Sequence, residues 1–421
     1  MVLPQARNLV AALAVVGLVI TAGLLIAQDQ ETVRVRTDLA ASDSRFPEYL
    51  ARLLGSPLTS GDAYMLHRNE AAFPAMLAAI ERARHRVVFE SYIYEKGEIG
   101  DRFTAAFAAA ARRGVDVRLV LDSIGAQTFD RGYALELERA GCRIGWFNPV
   151  GSFSIEEVNY RTHRKELVID GDVAFVGGIS IDDQWAKDTT REKRWRDAMV
   201  EVRGPAAINI EAAFNENWIE TGGVVDPDLV LRDNEPDGPG RSIVIWSSPE
   251  AGTNRLKLLY LLAMAAARRS LDIQSPYLMT DESTRWSLRE ARRRGVRVRM
   301  LVEGDITDAK PVKFAGREEY GLFMSQGIEV YEYQPAMMHV KAVVVDGILS
   351  LVGSANFDNR SLELNEELQV AAFDKALAAR LLKDFEHDLT QSKRLDLDTW
   401  RSRPLHIRGR EKLWSFFGEV F

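Results

Sequence analysis

Hydrophobic and polar positions along this chain switch repeatedly between a helical period and short apolar runs. From Glu70 to Arg86 (EAAFPAMLAAIERARHR) the apolar residues recur at helical spacing, and from Val87 to Tyr94 they crowd into a run that reads as a buried strand. An alanine-rich helix follows, with basic residues in its last turn and Gly114 just beyond, as a helix stop requires, and then the strand Val115 to Asp122. The same succession returns later. Asn254 to Ser270 (NRLKLLYLLAMAAARRS) predicts a helix, Leu271 to Tyr277 a strand, the next helix stops at Gly295, and Val296 to Glu303 is again a strand. Gly141 to Pro149 (GCRIGWFNP) likewise parallels Gly327 to Pro335 (GIEVYEYQP). Two copies of one unit, with strands alternating with helices, predict an α/β protein: a pseudo-twofold pair of α/β/α domains with mixed, largely parallel sheets flanked by helices.

The copies are assigned to residues 41–225 and 242–421, joined by the acidic, Pro- and Gly-rich stretch Asp226 to Arg241 as a surface linker. Residues 1–40 stand apart. Leu9 to Ala27 carries no charge, and nineteen residues at about 1.5 Å each can cross a hydrocarbon core of roughly 30 Å. Leu25 and Ile26 do not suit a cleavage site, so the run is read as an N-terminal transmembrane helix that stays attached. Arg7 precedes it while Arg34, Arg36 and Arg45 follow, a balance that favours a cytoplasmic catalytic region. The helical segment Leu381 to Phe421 ends the second copy, and its aromatics Trp400, Trp414, Phe416 and Phe417 suit either core packing or membrane contact.

Composition narrows the partners. With 421 residues, 46% of them hydrophobic, the chain can build two cores. Its formal charge of -7 provides no basic field, so no nucleic-acid partner is expected. Cys142 is the single cysteine, which excludes an intrachain disulfide.

The chemistry sits in two matching motifs. The first runs His163-Arg-Lys165, then Asp170-Gly171, then Gly177-Gly178-Ile-Ser180; the second runs His339-Val-Lys341, then Asp346-Gly347, then Gly353-Ser354-Ala-Asn356. Alternate residues of a strand share a face, so each histidine and its lysine are expected to point together. The Asp-Gly pairs read as hairpin turns. Small residues at 178 and 354 would let amides or a hydroxyl approach an anionic oxygen, and Ser180 and Asn356 could each add a side-chain hydrogen bond. One such motif alone would be an ordinary hairpin. Two at equivalent places in a duplicated unit point to one composite site, with two imidazoles and two ammonium groups around one phosphate. His67, His85, His387 and His406 have no such companions. The first copy also inserts ten residues, Val150 to Asn159, ahead of its histidine.

At these residues the chain resembles the phospholipase D superfamily, whose signature H-x-K-x4-D-x6-G-[GS]-x-N occurs twice. The segments Asn159 to Lys165 (NYRTHRK), Trp195 to Ala206 (WRDAMVEVRGPA), Tyr331 to Lys341 (YEYQPAMMHVK) and Gly353 to Glu367 (GSANFDNRSLELNEE) are similar to its bacterial cardiolipin synthase branch. The resemblance spans about Asp62 to Arg403, with two departures: Ser180 replaces the signature asparagine, and Trp185 stands where the branch shows tyrosine. It implies a pair of phospholipase D-like domains, a catalytic set of His163, Lys165, Asp170, His339, Lys341, Asp346, Asp197 and Glu367, and phosphate binding by Gly178, Ser180, Ser354 and Asn356. Within that set His163 would be the nucleophile, His339 the acid and base, and Asp197 and Glu367 the carboxylates that orient the imidazoles; Asp170 and Asp346 would secure their turns.

No metal or cofactor is called for. The implied activity is phosphatidyl transfer that makes cardiolipin from phosphatidylglycerol, or with phosphatidylethanolamine as donor, at the bacterial inner membrane. Hydrolytic phospholipase D uses the same residues and stays open as an alternative, with a phosphodiesterase or nuclease behind it. Lys187 to Arg196 (KDTTREKRWR), with five basic residues, reads either as a solvated loop or as a collector of anionic headgroups.

Overall fold

A computed structural model describes residues 32–149, 160–188, 193–225, 227, 234–248 and 254–415. The apolar run Leu9 to Ala27, the insertion Val150 to Asn159 and the terminal Phe416 and Phe417 lie outside them. Among the described residues, no helix is long and apolar enough to cross a membrane.

The first half contributes β1 (Leu58–Arg68), β2 (Arg86–Ser91), β3 (Asp116–Asp122), β4 (Arg143–Phe147), β5 (Glu166–Ile169), β6 (Val173–Gly177) and β7 (Ala198–Arg203). The second contributes β8 (Gly240–Trp246), β9 (Ser270–Gln274), β10 (Leu278–Met279), β11 (Arg297–Glu303), β12 (Glu329–Tyr333), β13 (Ala342–Val345), β14 (Leu349–Gly353), β15 (Phe357–Asp358), β16 (Leu368–Phe373) and β17 (Ser392–Arg394). Apart from β10 and β15, all belong to one fifteen-stranded sheet ordered β17-β12-β11-β9-β13-β14-β16-β8-β1-β7-β6-β5-β2-β3-β4. Read outward from the β8–β1 junction, the two halves have the same order. β8 itself begins inside the stretch assigned to the linker.

The largely parallel sheet expected from the alternation of strands and helices is not what forms. Four neighbouring pairs of this sheet are parallel, β2–β3, β3–β4, β9–β11 and β11–β12, and the others are antiparallel. The parallel pairs are the ones linked by helical crossovers. The Asp-Gly turns reverse the chain within two residues, which enforces antiparallel pairing of β5 with β6 and of β13 with β14. The same antiparallel sense runs through β7, β1, β8 and β16, so the halves join in one sheet.

Helices cover both faces. Those at Ala72–Arg82, Glu98–Arg112 and Arg131–Ala140 pack on the first half, and those at Arg255–Ala266, Glu282–Arg293 and Lys310–Ser325 on the second. A third core is shared: Val168, Val176 and Phe214 from one half pack with Val344, Val370 and Phe385 from the other. The halves therefore bend toward each other about the junction, with β6 and β7 against β14 and β16. The helix Phe46–Leu54, contiguous in sequence with the first half, buries Phe46, Leu50 and Leu54 in the core of the second. Removing this apolar surface from water is the main force clamping the halves together.

Candidate active site

Each hairpin is built by its Asp-Gly turn. Asp170 and Asp346 adopt left-handed conformations with φ of 52° and 54°, followed by Gly171 and Gly347 at 72° and 68°. Both central turn residues thus have positive φ, the geometry that matches strand twist in a tight hairpin. The Asp170 carboxylate accepts from the amides of Arg84, His85 and Arg86 at 2.7–2.9 Å. Asp346 does the same for Arg268, Arg269 and Ser270, also at 2.7–2.9 Å. The two aspartates pin each turn to the start of the neighbouring strand, β2 or β9, and neither lines the cavity that holds the histidines. Both are placed to secure their turns and stand back from the cavity.

The His-Lys pairs lie just before β5 and β13, not within the strands, but each lysine still lies on the side of its histidine: His163 and Lys165 face one cavity and Lys341 lies against the His339 ring. They are held by the opposite half. Thr162 forms a bridge with Glu366 and Met338 one with Arg196, while the amides of His163 and His339 donate to the carbonyls of Glu366 and Arg196, both at 2.8 Å. As a result the carboxylates are crossed. Nδ1 of His163 is 2.9 Å from Glu367 Oε1, and Nδ1 of His339 is 2.7 Å from Asp197 Oδ2. A carboxylate only accepts, so Nδ1 of each ring carries the hydrogen and Nε2 keeps its lone pair.

Each carboxylate is itself held. The Trp185 indole N–H donates to Asp197 Oδ2 at 2.9 Å, and the Ala198 amide to Oδ1 at 2.8 Å. Ser354 Oγ donates to Glu367 Oε2 at 2.5 Å. Burial alone would raise both acids, but His339 and Lys341 hold Asp197 below its ordinary value, and His163 and Lys165 do so for Glu367. Burial, with the Lys165 and Lys341 charges beside it, lowers His163 to about 4. Burial and Lys341 lower His339 as well. The resting site thus pairs neutral imidazoles with ionised carboxylates.

Lys165 and Lys341 turn back to the carbonyls of their own histidines, at 3.0 and 2.8 Å. Lys341 Nζ is also 3.1 Å from His339 Nδ1, but that nitrogen's hydrogen is committed to Asp197, so the contact there is one of charge. Burial, then the neighbouring Lys341 ammonium, lowers Lys165 to about 7, and burial lowers Lys341 to about 8. Two ammonium groups crowded out of water favour an anion between them. His163, Lys165 and His339 open onto one cavity of about 200 Å³.

The small residues do a different task from the one expected. A Cβ on Gly178 would sit 2.4 Å from Asp197 Oδ1, so glycine is what lets this carboxylate approach. Its amide donates to the Ala198 carbonyl at 3.2 Å, and that of Ser354 to Leu368 at 2.9 Å. Gly178 and Ser354 therefore seat the orienting carboxylates; their amides are not offered to an anion. Ser180 Oγ and Asn356 Oδ1 are buried without a hydrogen-bond partner. Asn356 lines the cavity and Ser180 does not.

Several contacts were not anticipated. Trp185 and Trp195 pack their rings 5.5 and 5.3 Å from His339, and Tyr92 lies 5.4 Å from His163. Trp195, in the stretch read either as a solvated loop or as a headgroup collector and itself as a candidate core anchor, is buried in the cavity wall. Arg161, two residues before His163, also lines the cavity and is fixed by Asp122 at 2.9 Å. Arg161 and Trp195 fall inside the branch-like segments and Trp185 is one of the two departures, but nothing in the sequence marked Tyr92. His67 bonds Glu201 away from the cavity.

The family called cardiolipin synthase, PLD-like domain, matches residues 76–218 and 260–389. Cardiolipin synthases of Geobacillus sp. (strain WCH70) and Geobacillus kaustophilus (strain HTA426) are 32% and 31% identical to this chain, over 85% and 83% of its length and 72% and 70% of theirs. The crystal structure of phosphatidylserine synthase from Haemophilus influenzae Rd KW20 superposes with a TM-score of 0.68 at 14% identity, covering 89% of this chain and 100% of that one. That likeness establishes the fold. With both halves matched and the relatives aligned over most of their length, the chain belongs to the phospholipase D superfamily, in its cardiolipin synthase branch.

Proposed function

We propose that this protein makes cardiolipin by moving a phosphatidyl group from phosphatidylglycerol, or a related phospholipid donor, to the hydroxyl of a second phosphatidylglycerol. Nε2 of His163 attacks phosphorus and the bond to the departing headgroup oxygen breaks. His339, which takes up a proton from solvent at Nε2 as the phosphodiester anion binds, gives that proton to the departing oxygen, releasing glycerol when the donor is phosphatidylglycerol. The neutral His339 then takes the proton of the incoming hydroxyl, whose oxygen attacks phosphorus while the P–N bond to His163 breaks.

Lys165 and Lys341 neutralise the nonbridging oxygens in a site shielded from water, where fixed charges act most strongly. Asn356, which lines the cavity, would donate its side-chain N–H to the same oxygens. Glu367 stabilises charge on His163 and Asp197 on His339. The observation that carries this reading is the pair of imidazoles that open onto one cavity, each bound to a carboxylate of the opposite half and each with a lysine beside it. Hydrolysis would use the same groups with water as acceptor. The purified protein incubated with phosphatidylglycerol in vesicles is expected to yield cardiolipin and glycerol; phosphatidic acid as the sole product would sink the transfer reading.

We place the enzyme at a bacterial inner membrane, held by Leu9 to Ala27, with its site on the cytoplasmic side. Tethering suits a reaction whose two substrates are both lipids, because it raises their effective concentration. A reporter active only in the cytoplasm, fused after Phe421, should give signal, and silence from it with normal expression would reverse the orientation.

A further inference from the structure

The cavity contains a group that phosphoryl chemistry does not use. Asp308, in the loop between β11 and the helix Lys310–Ser325, lies at the mouth, where its carboxylate lines the same cavity as His339. A carboxylate facing a phosphate would oppose binding, so its presence calls for a different part of the substrate. It is held in place. The hydroxyl of Tyr277, another lining residue, donates to Asp308 Oδ1 at 2.6 Å.

The duplication shows that this corner belongs to one half only. Ser91 Oγ donates to the carbonyl of Ile93 at 2.8 Å, and Ser275 Oγ to that of Tyr277 at 2.6 Å, so Ile93 and Tyr277 are equivalent positions. The first half has an apolar side chain where the second has the phenol that anchors Asp308. The charge of Asp308 also acts on the second half, favouring the protonated forms of His339 and Lys341.

We propose that Asp308, positioned by Tyr277, recognises the alcohol of the reaction: its carboxylate accepts hydrogen bonds from the free hydroxyls of a glycerol headgroup entering or leaving beside His339. The substrate class is a polyhydroxy alcohol, and the selection rests on the transfer reading given above. A hydrogen bond from a neutral hydroxyl to a carboxylate is charge-assisted, and losing it from a fixed site costs about tenfold or more in binding. Water and simple alcohols, which lack a second hydroxyl, gain nothing from it.

The test uses the full-length protein in phosphatidylglycerol vesicles with labelled glycerol or 1-propanol as added acceptor, and compares wild type with Asp308→Ala, Asp308→Asn and Tyr277→Phe. Expected is a rise of about tenfold in KM for glycerol in both Asp308 variants, a smaller rise in Tyr277→Phe, and a matching fall in the ratio of glycerol exchange to phosphatidic acid. The KM for 1-propanol should not follow. Equal losses with both alcohols would assign Asp308 a structural role and overturn the proposal, as would an unchanged ratio. A larger loss with ethanolamine as acceptor would replace polyol recognition by ammonium recognition. Wild-type protein that forms phosphatidic acid from phosphatidylglycerol and transfers to no alcohol would instead refute the transfer reading itself, and this one with it.

Discussion

His163→Ala and His339→Ala are each expected to lower cardiolipin formation by on the order of 10⁵-fold, because residues of a reacting unit fail together when one is removed. Their difference emerges with a donor whose headgroup is p-nitrophenol, which departs without needing a proton. His339→Ala should then release one nitrophenol per molecule and stop, leaving the phosphatidyl group on residue 163. His163→Ala should give no burst. Both histidines line the cavity, and both keep Nε2 available because Nδ1 is bound to a carboxylate. A burst in His163→Ala with label on residue 339 would exchange the assigned roles; substantial turnover in either variant would refute a shared site.

Asp197→Asn and Glu367→Gln should each lower turnover by on the order of 10⁴-fold, since an amide removes the charge that stabilises the imidazolium and permits the wrong tautomer. The crossed geometry makes the pattern specific. Asp197 touches His339 and Glu367 touches His163. With the nitrophenyl donor, Asp197→Asn should therefore keep a fast burst, as His339→Ala does, while Glu367→Gln should lose it, as His163→Ala does. The reverse result would mean that each carboxylate serves the histidine of its own half. Circular dichroism and melting of each variant separate these outcomes from loss of fold.

Much of this was legible in the sequence where the deciding interactions are local. Asp170-Gly171 and Asp346-Gly347 announced hairpins because positive φ at both turn residues favours those residue types. The helix stops at Gly114 and Gly295 appear as expected, both glycines at positive φ. The two histidines were found by duplication, which turns a weak motif into a strong one. Asp197 and Glu367 came from resemblance alone, and their partners could not be read off. Asp197 lies 142 residues from His339, and Glu367 lies 204 from His163. Such a pairing is set by how the halves dock, through buried residues such as Phe214 and Phe385 that carry no mark of what they bring together.

The antiparallel join of β1 and β8 was hidden for a similar reason. Strand direction in the middle of a sheet depends on which edges meet, and β1 and β8 each present a strand edge to the other half. The expected role of Gly178 was misread because a glycine beside a site invites the idea of an approaching ligand. Here the approaching group is the protein's own Asp197.

The crossing of the carboxylates gives the molecule a logical interlock. Neither half alone contains a complete histidine–carboxylate pair, since each imidazole meets a carboxylate of the other half. A chain emerging from the ribosome with only its first half folded has His163 without its carboxylate, and a molecule whose halves part loses both imidazoles' settings at once. An activity made this way is silent until both halves have folded and docked.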